Sequence, residues 1–326
     1  MRELGKWLGR FLLLVLVLVL FLWLGPREQV SGVANAPNLP EAAELDAWLE
    51  DKEAQVPDLR PSSAKRITWA GEVGARTPLS IIYLHGFSAS NNEMSPVQAN
   101  IAKELGANMF ETRLAGHGRD GAAMAEPRAE AWLDDVAEAM EIGRALGDEV
   151  VILGVSTGGT LAAWAATQPQ ISDALAGIIL ISPNFKIANP MAALLHMPFA
   201  RAWVPLLAGE ERKFTPRNEA HGAQWTTQYP TVATVTMATA MRESLAQDFS
   251  EVDVPAYFIF SEHDTVVSAD ATRAMLDRWG APVSVEMPGP MDGVDPDGHV
   301  IVGDILSPAH TPIMTNLMVD WISALP

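Results

Sequence analysis

From residue 67 to the end of the chain, short and mostly apolar runs alternate with amphipathic stretches, and this alternation restricts the fold more than any other feature. The runs lie at residues 67–70, 79–84, 108–112, 150–155, 176–181, 256–260 and 283–287, each too short for a helix. Between them, residues 95–105, 129–146, 160–167, 269–279 and 312–325 space their apolar side chains as helices do. A strand with no polar face must be covered on both sides, so the expected class is α/β, a mostly parallel sheet with helices on both faces. Gly106, Gly147 and Gly280 each stand just past a helical stretch, where a left-handed cap is expected. One interval breaks the pattern. Residues 185–252 hold many prolines and no convincing strand, and they read as helices over 191–200, 218–227 and 229–246. Met191, Met197, Trp203, Trp225, Met237 and Met241 in this interval are expected to pack a small core and to line one apolar wall.

The run at 150–155 ends in Gly154-Val155-Ser156-Thr157-Gly158 and passes at once into a helical stretch. A serine hydroxyl is a weak nucleophile until geometry and a base act on it. A sharp strand-to-helix turn lifts the side chain clear, and glycines two residues to either side remove what would collide there. The helix behind it aims its positive end at the place where an oxyanion would form. A Gly-rich turn with no chemical role is the bland alternative, so the remaining parts of an acyl-transfer site are needed. The run at 79–84 leads into His85-Gly86-Phe87-Ser88, where the backbone N–H of Phe87 can donate to an oxyanion; the N–H of Thr157 is the second donor. His85 reads as a brace for that loop. The run at 256–260 is followed by Ser261-Glu262-His263-Asp264, which places Asp264 to orient an imidazole, with Glu262 in reserve. The base is expected last. His299 closes the polar loop after the run at 283–287, and His310 competes from the start of the final helix. Asp295 and Asp297 stand too close to His299 to reach round it and read as loop solvation.

The order Ser156, Asp264, His299 is that of α/β-hydrolases, not of the chymotrypsin-like or subtilisin-like proteases. With His85-Gly86-Phe87 and Arg113-Leu114-Ala115-Gly116-His117-Gly118, the chain resembles the branch holding serine aminopeptidase-like hydrolases, monoacylglycerol lipases and bacterial carboxylesterases. The resemblance extends over about residues 67–325. It implies an α/β-hydrolase fold with a helical cap inserted after the sixth core strand, and a structural role for His117. Epoxide hydrolases and dehalogenases share that scaffold but carry an aspartate where Ser156 stands. Fold alone does not decide chemistry.

Phe11 begins fourteen apolar residues that run without a break to Leu24, behind Arg2, Lys6 and Arg10 against Glu3. At 1.5 Å per residue that stretch spans about 21 Å, short of a hydrocarbon core of roughly 30 Å. By length it is the apolar centre of a signal peptide. Leu4, Trp7 and Leu8 lengthen it into an anchor if Lys6 and Arg10 snorkel, and Pro37 after Ala34-Asn35-Ala36 disfavours cleavage. Either way the basic end stays in the cytoplasm and the rest is exported. The chain has no cysteine, hence no disulfide or thiolate metal site. Without residues 1–24 it carries 19 basic against 39 acidic residues, a formal −20. That charge disfavours nucleic acid and polyanionic substrates and suits neutral esters or amides.

The expected organisation is an anchor or signal segment at 1–24, a tether with a short acidic helix at 25–65, a core at 66–184 and 253–326, and a cap at 185–252. The expected protein is a serine hydrolase anchored in the inner membrane with its catalytic domain in the periplasm, or secreted after cleavage. Its catalytic residues are Ser156, Asp264 and His299, and its oxyanion donors are Phe87 and Thr157. No metal or cofactor is expected, and oligomeric state is left open. Its substrate is a small or lipid-like carboxylic ester. The alternatives are a peptidase or amidase of the same fold and a catalytically silent binding protein.

Overall fold

The computed structural model describes residues 2–30 and 34–326; Met1 and residues 31–33, which fall in the segments read as anchor and tether, lie outside the described residues. The helices are α1 (Arg2–Leu24), α2 (Leu45–Ala54), α3 (Val97–Leu105), α4 (Ala129–Leu146), α5 (Thr157–Ala166), α6 (Ala200–Ala208), α7 (Glu219–Gln224), α8 (Ala233–Leu245), α9 (Ala269–Leu276) and α10 (Thr311–Ser323). The strands are β1 (Arg66–Thr68), β2 (Thr77–Leu84), β3 (Asn108–Glu111), β4 (Gly147–Val155), β5 (Leu175–Ile181), β6 (Glu211–Lys213), β7 (Gln228–Pro230), β8 (Ala256–Ile259) and β9 (Val283–Glu286). Seven of the strands form one sheet in the order β1-β3-β2-β4-β5-β8-β9, parallel except for β1.

Successive strand residues serve opposite faces of the sheet, as the two-residue period requires. Ile82, Leu84, Val150 and Ile152 join the core under α4, α5 and α8. Ile81, Tyr83, Val151 and Leu153 join the one under α3 and α10. The fold is an α/β-hydrolase sheet covered on both sides. β9, at the edge, alternates exposed and half-buried residues and is not the buried strand its composition suggests.

Several local expectations are corrected. Gly106 caps α3 in the left-handed region (φ 61), but Gly147 is extended (φ −144, ψ 166) because it opens β4 directly, and Gly280 is not among the positive-φ glycines. Counted along this chain, the insertion follows the fifth strand, β5. It is also not wholly helical: β6 and β7 pair antiparallel as a small ribbon. Pro198 breaks the expected first helix, which becomes a 3-10 stretch, Pro190–His196, followed by α6 from Ala200, which carries Pro205 inside it. The second expected helix shrinks to α7, and the third starts only at Ala233 because Tyr229 is taken by β7.

α1 leaves its large apolar side chains exposed, and from Glu3 to Phe21 it is long and apolar enough to cross a membrane. The chain after it is held, not loose. The Phe199 N–H donates to the Pro26 carbonyl at 2.9 Å. The Glu28 carboxylate pairs with Arg128 of the core and Arg201 of the insertion, each at 2.9 Å. α2 buries Leu45 and Leu49, and its Glu53 takes Arg113 in a two-pronged ion pair of 2.9 and 2.7 Å. Because Arg113 follows β3 closely, this buried pair ties α2 to the loop that leads to His117.

Candidate active site

β4 and α5 meet at Ser156, whose backbone is forced into φ 52, ψ −114. The space for this turn exists only because its neighbours lack side chains. A Cβ on Gly158 would lie 2.0 Å from the Leu84 carbonyl oxygen, and one on Gly154 would lie 2.7 Å from the Gly158 carbonyl oxygen. Gly158→Ala is therefore expected to push α5 off β2 and to lower unfolding stability by about 3 kcal/mol or more, the upper range for overpacking. Urea denaturation of the variant checks this.

Ser156 is 7% exposed, and its Oγ lies 3.1 Å from His299 Nε2. On the other side of the ring, His299 Nδ1 lies 2.8 Å from Asp264 Oδ2. The carboxylate can only accept, so the proton sits on Nδ1 and the Nε2 lone pair faces the serine. The other Asp264 oxygen accepts the Val266 and Val267 N–H groups at 2.8 and 2.9 Å, which fixes the carboxylate while Ser268 caps α9. Burial opposes a charged His299. The Asp264 hydrogen bond and charge, helped by Glu93 and Asp295, outweigh it and hold the pKa above the ordinary histidine value.

The other residues singled out in the sequence lie elsewhere or act structurally. Glu262 is exposed and pairs with Arg273, and His263 is exposed beside it. His310 Nδ1 donates to the Ile301 carbonyl at 3.0 Å, away from the serine. His85 braces the loop after β2: its Nδ1 donates to the Gly86 carbonyl (2.8 Å) and its Nε2 accepts the Leu114 N–H (3.0 Å). His117 Nε2 accepts the Ser88 N–H at 3.1 Å. Burial lowers the pKa of both rings, that of His85 to about 4, so they remain neutral acceptors. With Gly86, Ser88 and Ala89 N–H all engaged, Phe87 N–H has no acceptor among the described residues. Thr157 N–H, at the first position of α5, has none within the helix.

Two carboxylates matter here that sequence reasoning missed or misjudged. Asp295 is buried, not solvating: it accepts the backbone N–H groups of Asp297, His299 and Val300 and lies 3.4 Å from Arg217 of the insertion. It shapes the loop that carries His299 without competing for the ring. Glu93 lies under the loop after β2, accepting the Gly86 N–H at 2.6 Å and the Tyr83 hydroxyl at 3.2 Å. Burial pushes its carboxyl up to about 7, against the pull of Gly86, His299 and Tyr83. As one acidic residue in a polar loop it carried no sequence signal. Among the described residues no group of three or more His, Asp or Glu side chains is arranged to hold a metal ion.

Comparison with known families matches residues 77–286, well over half of the chain, to the model described as Serine aminopeptidase, S33. The chain belongs to this family. Its α/β-hydrolase fold is shared by the structure reported for the metagenome-derived lipolytic enzymes LipS and LipT, with 22% identity and a TM-score of 0.65 over 81% of this chain and 99% of that one. The monoacylglycerol lipase of Paleococcus ferrophilus matches at 12% identity and 0.58, over 79% and 96% of the two chains. A soluble variant of the monoglyceride lipase of Saccharomyces cerevisiae matches at 12% and 0.56, over 79% and 90%. Among curated proteins, none matches in sequence. Family membership and these likenesses establish the scaffold of the serine aminopeptidase family member; its chemistry rests on the side chains above.

Proposed function

We propose that the protein is an exported, membrane-anchored serine hydrolase that cleaves carboxylic esters. The observation that carries this reading is the unbroken hydrogen-bonded series from Asp264 through His299 to Ser156, at 2.8 and 3.1 Å. Ser156 Oγ attacks the acyl carbon while His299 Nε2 takes its proton, and Asp264 holds the ring and stabilises its charged form. The Phe87 and Thr157 N–H groups receive the negative charge that develops on the carbonyl oxygen. His299 returns the proton to the departing alcohol, and water activated by the same ring releases the acid from the acyl-enzyme.

Apolar surroundings support an ester with an apolar acyl group. Phe87 packs edge-on against Tyr229 at 5.3 Å, within a cluster that includes Met124 and Phe214 of the adjoining segments. The lipolytic enzymes among the structural neighbours are in keeping with this. The family description favours a second reading, release of N-terminal amino acids. A free amine needs a buried acidic partner, and the cap's Glu210 and Glu211 are exposed on the β6 ribbon, Glu211 engaged by Gln228 at 2.6 Å. Steady-state kinetics of the full chain in detergent, on p-nitrophenyl esters of graded length beside aminoacyl p-nitroanilides, test the choice. Ester turnover is expected to dominate and to improve with chain length; faster anilide cleavage would establish the aminopeptidase reading instead.

The proposed location rests on α1. Its basic residues precede the apolar stretch, which favours a cytoplasmic N-terminus and a catalytic domain on the far side of the membrane. Secretion after cleavage is the alternative.

A further inference from the structure

We infer that the outer lobe of the cap, residues 188–209, rests on the phospholipid bilayer that α1 crosses, so that the cap is a second, non-covalent membrane contact. The inference builds on the reading of α1 as an anchor. Leu206 and Leu207 are 82% and 75% exposed, more than any other large apolar side chain outside α1, and Met191 follows at 64%. A soluble domain seldom leaves such a group together without a partner. In a chain of 40 acidic residues, the segment 188–209 contains none, and its one formal charge, Arg201, is already paired with Glu28 at 2.9 Å. The rest of the surface is acidic and is repelled by anionic headgroups, so this lobe is the face a membrane accepts.

What covers the lobe follows from its attachment to the anchor. The Phe21 ring, in the last turn of α1, stacks on Phe199 with centroids 4.7 Å apart, and Phe199 is the residue that opens α6. Gly25 approaches so closely that a Cβ there would lie 2.3 Å from the Phe199 ring. Phe199 N–H donates to Pro26 O, and Arg242 donates to the Glu28 carbonyl. The exit point of α1 is thus clamped to the start of α6. Leu206 and Leu207 follow within about 12 Å along that helix. With α1 in the bilayer, Phe21 is at the headgroup level, and α6 lies along that surface as a short interfacial helix does. The cap that covers Ser156 then sits against the source of any lipid-like ester.

The chain has no cysteine, so single cysteines carry an environment-sensitive fluorophore without further changes. Full-length protein in phosphatidylcholine vesicles is labelled at Leu206→Cys, Leu207→Cys, Val17→Cys within α1 and Val73→Cys. Val73 is exposed in the loop between β1 and β2, at the end of the sheet opposite the cap. Doxyl-lipid quenching is expected at positions 206, 207 and 17, with position 73 open to aqueous iodide. Quenching at 17 but iodide access at 206 and 207 overturns the lobe contact and leaves the anchor standing. Iodide access at 17 as well overturns the anchor, and the lobe contact with it. A functional readout accompanies this: Leu206→Asp with Leu207→Asp is expected to slow hydrolysis of a long-chain ester dissolved in the vesicles by about tenfold or more, the loss of two inserted leucines. Turnover of water-soluble p-nitrophenyl acetate stays at the wild-type rate. An equal fall on both substrates contradicts the inference.

Discussion

Ser156→Ala is expected to abolish labelling by a fluorophosphonate probe and to lower kcat on p-nitrophenyl esters on the order of 10⁵- to 10⁶-fold. The alanine keeps the strained turn at φ 52 and the packing of α5 on β2, so the fold survives while the attacking oxygen is gone. His299→Ala is expected to cost about as much, because the serine at 3.1 Å then has no acceptor for its proton. Since the two act as a unit, the double variant should be no slower than either single one. His310→Ala separates the two histidines that compete in the sequence. It removes a buried bond to the Ile301 carbonyl, so stability should fall while kcat holds. Loss of turnover in His310→Ala with activity retained in His299→Ala would reverse the assignment of the base.

Asp264→Asn is expected to lower kcat about 10⁴-fold with little change in structure, since an amide in place of the carboxylate leaves the ring free to take the wrong tautomer. The pH profile gives the sign. His299 must be neutral to accept the serine proton, and its pKa is raised in the wild type, so kcat/KM should fall as pH drops through a value above that of ordinary histidine. Removing the Asp264 charge moves that acid limb to lower pH. Glu93→Gln should move it the same way by less, because Glu93 also favours the charged ring. The same variant has a stability signature. A carboxyl raised from 4.5 in the unfolded chain to about 7 in the fold favours folding fully below 4.5 and loses that advantage as pH rises towards 7. Glu93→Gln should therefore gain on the wild type across that window, by on the order of 3 kcal/mol. Urea titrations at pH 5 and 8 check the stability effect, and stopped-flow hydrolysis across pH 5–9 checks the limb.

The strands and the serine turn were legible because both are written in contiguous residues. A two-residue period places Ile81 and Ile82 on opposite faces whatever the rest of the chain does, and Gly154 and Gly158 are needed by atoms only a few positions or one strand away. The insertion was less legible. Its first helix period was interrupted by Pro198, and β6 and β7 are three-residue strands that exist only by pairing with each other. Asp295 was misjudged for a related reason. Its nearness to His299 in sequence suggested solvation, whereas the loop folds back so that the carboxylate meets the backbone N–H groups of residues just beyond it.

By itself the sequence determined the α/β class, the place of the strained serine and the order of serine, acid and histidine, since each depends on local periodicity or on chain order. Only the tertiary structure decided which histidine faces Ser156, which carboxylate holds it and which holds the loop, and that Glu93 lies beneath Gly86. It also decided that the stretch after α1 is clamped to the cap through Phe199 and Glu28. The physical reason is distance along the chain. Ser156 and His299 are 143 residues apart and Glu28 and Arg201 are 173 apart, so their meeting is set by the packing of the whole sheet and its insertion, which no local pattern encodes.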